Sequence, residues 1–167
     1  SFEPPPGGRP ILRIAALSDA HIQDEGSSPR AKAANAKLSR ALRDHARFEP
    51  DLYVFNGDVT NNGSPSEYRA FSRILKASIL DRPFLVTTGN HEFYSANGDD
   101  ALALERFCKA FGLSRPYRDL ILQDVHIIML ADERWKTAPR NSDWAWLLDE
   151  QLNWFAGVLP AHRDKLT

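Results

Sequence analysis

Three times in its first 111 residues the chain runs from a short apolar block through a polar loop into a segment with apolar positions at helical spacing. The first block, residues 11–17 (ILRIAAL), is nearly continuous and suits a strand buried on both faces. Ser28 and Pro29 then offer a cap and a first-turn proline, and Ala34, Leu38, Ala41, Leu42, His45 and Phe48 form a helical stripe. The second block, residues 52–55 (LYVF), leads through loop residues 56–63 to Ser64-Pro65-Ser66-Glu67, which has the spacing of a capping box. Tyr68, Phe71, Leu75 and Ile79 carry the helix that follows. The third block, residues 84–88 (FLVTT), precedes a polar loop from Gly89 and a helix over about residues 99–111, with Leu104, Phe107, Cys108 and Phe111 on one face.

Alternating strands and helices predict a layered α/β domain with parallel strands. Beyond residue 111 the pattern changes. Strands are expected over 117–122 and 125–131, joined by a Gln123-Asp124 turn, and a last helix over about 142–159, with Trp144, Leu148, Gln151, Leu152 and Phe155 at helical intervals. Residues 1–10 (SFEPPPGGRP) read as an extended Pro/Gly-rich tail, and residues 11–167 as one unit without an internal boundary.

Composition narrows the function. Hydrophobic residues make up 43% and charged residues 26% of 167, which excludes disordered, collagenous and coiled-coil classes. Twenty-one basic against 22 acidic residues give a net charge of -1, so nothing in the charge favours nucleic acid or an anionic membrane as partner. The sequence has neither a run of about 18 apolar residues nor a basic stretch followed by an apolar core, so a soluble chain with no targeting or transmembrane segment within these residues is expected, its compartment unspecified. The lone Cys108 reads as a small core residue.

Each of the first three strands ends in a loop rich in metal-type donors: Asp19 and His21, then Asp58 with Asn61 and Asn62, then Asn90 and His91. Parallel sheets set such loops side by side at the carboxyl ends of the strands, where ligands bind. Carboxylate, imidazole and amide donors together suit Mn, Fe, Zn, Co or Mg. A dinucleotide-binding reading is weak, because the one glycine pair, Gly7-Gly8, precedes the first strand.

Asp19-Ala20-His21, Gly57-Asp58 and Gly89-Asn90-His91-Glu92, in this order and each after an expected strand, resemble the calcineurin-like metallophosphoesterases. The last of the three motifs is the most specific. The resemblance implies an α/β/β/α sandwich, of which residues 11–160 would form the first half to two-thirds. It implies a binuclear metal centre in which Asp19 and His21 hold one divalent ion, Asp58 bridges, and Asn90 holds the second. A metal-bound hydroxide would attack a phosphomonoester or phosphodiester, and His91 would protonate the leaving oxygen or stabilise charge. Glu92 would lie outside the ligand shell. Phe93, Tyr94 and Asn97 are positioned to line the pocket.

Two departures from the family pattern stand out. The later histidine and the Gly-His-x-His pair are absent from these residues, so part of a family domain is expected to be missing. Asn61 stands where many relatives carry an acid that pairs with the catalytic histidine. Absence of Tyr at that position argues against purple acid phosphatases, and absence of Asp-Arg-Gly argues against Ser/Thr protein phosphatases. The alternative to an enzyme is a metal-binding but inactive module. His45 is expected at the core edge, His126 facing a sheet surface, and His162 near helix-end carbonyls or water. Four tryptophans, Trp135, Trp144, Trp146 and Trp154, crowd the last third, and an uncovered surface there would favour a homodimer.

Overall fold

The computed structural model describes residues 11–24, 26, 28–136 and 146–167. The Pro/Gly-rich tail and Trp144 lie outside them. Along the chain run β1 (Ile14–Leu17), α1 (Pro29–Ala46), β2 (Leu52–Asn56), α2 (Pro65–Ile79), β3 (Phe84–Thr87), a 3-10 segment (Asn90–Ala96), α3 (Asp100–Phe111), β4 (Arg118–Leu122), β5 (Val125–Met129) and α4 (Asp149–Ala161).

β1, β2 and β3 form a parallel sheet in that order, with Ala15 opposite Tyr53, Val54 opposite Leu85 and Phe55 opposite Val86. Successive strand residues point to opposite faces, and the two faces meet different layers. Ala15, Tyr53, Phe55 and Val86 pack with Leu38 and Leu42 of α1, Phe71 and Leu75 of α2 and Phe107 of α3. Leu52, Val54 and Leu85 pack on the other side against Met129, Leu120, Leu122 and Ile127 of the β4–β5 hairpin. Helices, sheet and hairpin therefore stack as α, β and β layers, the mixed α/β architecture that the strand and helix pattern predicts.

Local chemistry sets the elements. Ser28 caps α1 by accepting from the Ala31 N–H, and the Ser64–Glu67 capping box closes reciprocally with Pro65 in the first turn of α2. Such a cap is worth about 1 kcal/mol. The hairpin turn places Gln123 at φ 49° and Asp124 at φ 65°, the left-handed pair that matches the twist of the flanking strands.

Three expectations are corrected. β1 is shorter than residues 11–17 and, among the described residues, pairs on one side alone, with β2; Ile14 is 46% exposed, so the strand is not buried on both faces. Phe48 lies past the end of α1 and is 72% exposed, outside the helical stripe. The last helix begins at Asp149 and not near residue 142. Trp146 and Leu148 are held outside the helix by two buried acids, their N–H groups donating to Asp132 Oδ1 and Glu133 Oε2, each at 2.8 Å. Residues 142–145 fall outside the described part.

α4 is anchored by the buried Gln151. Its Oε1 accepts from the Ala131 N–H at 2.8 Å, and its Nε2 donates to the Ala131 carbonyl at 2.9 Å and to Glu133 at 2.7 Å. Trp154 lies 4.8 Å from Tyr117, with Arg115 over its ring. Trp135, Trp146 and Trp154 are half-buried, and the apolar side chains exposed in this region are Leu152, Leu159 and Leu166. No helix among the described residues is long and apolar enough to cross a membrane.

Asp132 carries a stability cost. Burial pushes its carboxyl from 3.8 up to about 6, against hydrogen bonds that favour the charged form, and Oδ2 has no partner. The folded state thus holds this proton more tightly than the unfolded chain. That contribution is complete below pH 3.8 and lost as pH rises through about 6, and it is worth up to roughly 3 kcal/mol. Asp132→Asn keeps the Trp146 acceptor without the charge. Melting curves should show equal Tm near pH 4 and a variant more stable by on the order of 5 °C at pH 8; equal Tm at both would contradict a destabilising charge.

Candidate metal centre

The three motif loops converge at the carboxyl ends of β1, β2 and β3. Backbone bonds zip the first loop to the second: Asp19 N–H to the Gly57 carbonyl at 3.3 Å, His21 N–H to Asp58 at 2.9 Å and Ile22 N–H to Val59 at 3.0 Å. The Asn61 N–H returns to the Ile22 carbonyl at 2.9 Å. This ladder holds Asp19, His21 and Asp58 at φ 54°, 45° and 49°, a left-handed conformation uncommon for residues other than glycine and concentrated where structure serves a site.

The two motif glycines have a steric reason. Gly57 has φ 71°, and a Cβ on it would stand 3.0 Å from the backbone of Gly89. A Cβ on Gly89 would stand 2.3 Å from Asp58 Oδ1. Only two glycines let the second and third loops approach closely enough for the Asp58 carboxylate to sit between them.

Glu92 locks this approach. Its buried carboxylate accepts from the Asp58 N–H at 2.9 Å, the Gly89 N–H at 2.8 Å, the Thr60 N–H at 3.0 Å and the Thr60 hydroxyl at 2.9 Å. Burial pushes the carboxyl up to about 7, helped by the Asp58 charge, while the bonds from Thr60 and Gly89 pull it down. The motif itself does not disclose this role, because three of the four donors belong to the second loop, on Asp58 and Thr60.

Ligand atoms of His21, Asp58 and His91 all lie within 4.8 Å of one another. Asp19 Oδ1 is 3.8 Å from His21 Nε2, and Asp19 also accepts from the Ser18 hydroxyl. The His21 and His91 rings meet edge to face at 4.3 Å. His91 donates its backbone N–H to Asp58 Oδ1 at 2.9 Å, and its Nδ1 lies 2.7 Å from the Asn61 carbonyl. A carbonyl only accepts, so Nδ1 carries the hydrogen of the neutral ring and Nε2 is its acceptor nitrogen.

Asn61 thus orients His91 through its backbone, which makes the side-chain identity at that position less important than the sequence pattern implies. Asn90 Nδ2 donates to the Tyr94 hydroxyl at 2.6 Å. Tyr94 lies over His91 with ring centroids 4.3 Å apart, but it is not among the residues lining the cavity beside that ring. Phe93 does not line the pocket. The 3-10 path of residues 90–96 turns it into a small core with Ala96 and Ala103, and Asn97 is the exposed, left-handed end of that segment.

The donor set fits a divalent cation. It offers carboxylate and imidazole atoms from separate loops, and His21 Nδ1 is buried without a hydrogen-bond partner. A cavity of about 560 Å³ opens beside it, lined by Asp19, His21, Asn61 and His91, with Arg30 and Lys37 of α1 on its flank.

Residues 12–158 match the family model of the calcineurin-like phosphoesterases, and the chain belongs to that family. It is 27% identical over 160 residues to a protein named probable glycerophosphodiester phosphodiesterase from Arcobacter nitrofigilis, a match covering 91% of this chain and 53% of that one. It is 34% identical over 82 residues to a probable cyclic nucleotide phosphodiesterase from a Pseudoalteromonas species, covering 48% of this chain and 31% of that one. A probable cyclic nucleotide phosphodiesterase from Rhodococcus erythropolis is 30% identical over 88 residues, 50% of this chain and 29% of its own length. The chain spans about half the length of the first of these relatives.

Proposed function

We propose that these residues form the first part of a binuclear phosphodiesterase site, in which Asp19, His21, Asp58 and Asn90 hold two divalent cations and His91 acts on the leaving oxygen. The observation that carries this reading is the convergence of His21, Asp58 and His91 from loops 30 or more residues apart, with ligand atoms within 4.8 Å. Asp58, between the other two loops, suits the bridging position. The Asn90 amide, fixed by its bond to Tyr94, contributes a carbonyl-type oxygen. Divalent cations bound there supply Lewis acidity to the phosphoryl oxygens and lower the pKa of a coordinated water.

The remaining steps belong to the chain's own groups. Arg30 and Lys37, on the flank of the cavity, attract an anionic ester. His91, oriented by the Asn61 carbonyl, presents Nε2 and carries a proton to the departing alkoxide. A phosphodiester is favoured over a monoester because the relatives above carry phosphodiesterase names.

The test is manganese-dependent hydrolysis of bis(p-nitrophenyl) phosphate by this chain or a longer form containing it. His91→Ala should lower kcat by roughly 10²- to 10⁴-fold while leaving manganese stoichiometry unchanged. Metal binding without turnover in every form would support the inactive module instead. A Gly89→Ala variant should weaken manganese binding by about 10- to 100-fold in equilibrium dialysis, because the added methyl displaces the Asp58 carboxylate. Unchanged affinity would remove Asp58 from the ligand set.

A further inference from the structure

A second cluster of ligand-type side chains lies on the hairpin. Asp119 of β4 and His126 of β5 share one face as diagonal neighbours, since Asp119 pairs with Ile128 and Ile121 with His126. Asp119 Oδ2 is 3.0 Å from His126 Nε2. His162, just past the end of α4, brings its ring within 4.6 Å of the His126 ring at 68°. One ligand atom from each of the three lies within 4.8 Å of the other two.

The chain after α4 is tied to the hairpin, so His162 is placed and not merely nearby. Leu166 accepts from the His126 N–H at 2.7 Å and donates to the Asp124 carbonyl at 3.3 Å, while Lys165 Nζ lies 2.8 Å from Asp124 Oδ1. His126 is the second residue of β5, whereas the chain just past the end of that strand, Leu130 and Asp132, is bonded to Thr87 and Thr88 beside the first centre. The two clusters therefore occupy opposite ends of β5.

His126 is the unusual member. Its side chain is fully buried, and its Nδ1 has no hydrogen-bond partner. A buried polar atom left unpaired in a strand of otherwise apolar residues leaves this imidazole incompletely satisfied, and Nε2, the nitrogen turned to Asp119, is the one that would take an ion. Two imidazoles and a carboxylate form a donor set suited to zinc, and ligand atoms around a tetrahedral zinc stand roughly 3.3 Å apart, given bonds of about 2.0–2.1 Å. Atoms already within 4.8 Å need only side-chain adjustment to reach that spacing.

We propose that Asp119, His126 and His162 form a second metal site, which takes a zinc ion as a structural clip between the hairpin and the segment following α4. One coordination position is left to water. The clip stands apart from the phosphoesterase chemistry, because the two clusters lie at opposite ends of β5.

The probe is zinc itself. Zinc bound per chain is counted by elemental analysis after dialysis for the wild type and for His162→Ala, which alters a half-exposed residue at a helix end and leaves the hairpin core intact. The variant should bind one zinc fewer and lose the zinc-induced rise in Tm, with phosphodiester turnover unchanged. The rise in Tm should persist in Asp58→Asn, which separates this site from the first. Equal zinc counts in wild type and His162→Ala, whether both bind or neither does, would overturn the proposal.

Discussion

Asp58→Asn should leave a folded protein that neither holds manganese nor turns over a phosphodiester. Asparagine keeps an oxygen for the His91 N–H, now 2.9 Å from Oδ1, so the loop retains its shape and the Tm should move little. What is lost is the charge at the position between the two other loops. If the cations supply several kcal/mol of transition-state stabilisation, kcat/KM falls by roughly 10³-fold or more. Equilibrium dialysis and steady-state kinetics on the same preparation check both halves. A variant within about threefold of wild-type turnover would show that Asp58 is not a ligand that matters.

Glu92→Gln should instead damage the scaffold. The carboxylate accepts four hydrogen bonds, from Asp58, Gly89 and both donors of Thr60. An amide replaces one accepting oxygen with an NH₂ group facing buried N–H donors, and each buried polar group left unsatisfied costs about 1–3 kcal/mol. The expected loss is about 3 kcal/mol, a fall in Tm of roughly 6–12 °C for a chain of this length, together with weakened manganese binding as the Asp58 loop loosens. Thermal melts with and without manganese separate the two effects. Unchanged Tm would mean the four bonds contribute nothing net.

These two residues also mark what the sequence could and could not disclose. Asp58 is legible because an aspartate follows a tight glycine at a strand end, and Asn90 follows Gly89 likewise, whereas Asp19, His21 and His91 are legible only from their place in strand-end loops. Glu92 is visible as part of a motif, but its work is done on backbone N–H groups 32 to 34 residues earlier, which no local pattern encodes. Likewise the contact between His91 and Asn61 runs through a carbonyl, so the side chain at position 61 misdirects the reading.

The same division holds for the fold. The capping box at Ser64 and the Gln123-Asp124 turn are set by neighbours in sequence and stand where the pattern puts them. The start of α4 depends on distant partners, the buried Asp132 and Glu133 that capture Trp146 and Leu148. His126 reads from sequence as one more strand residue, since only the path of the chain after α4 brings His162 to it.

The central claim is that separate strand-end loops build one cation site around Asp58. Anomalous diffraction from crystals soaked in manganese tests it most directly. Anomalous peaks are expected in contact with the Asp58 carboxylate, one toward Asp19 and His21 and one toward Asn90; manganese bound elsewhere, with none at Asp58, would mean that these loops do not build a cation site.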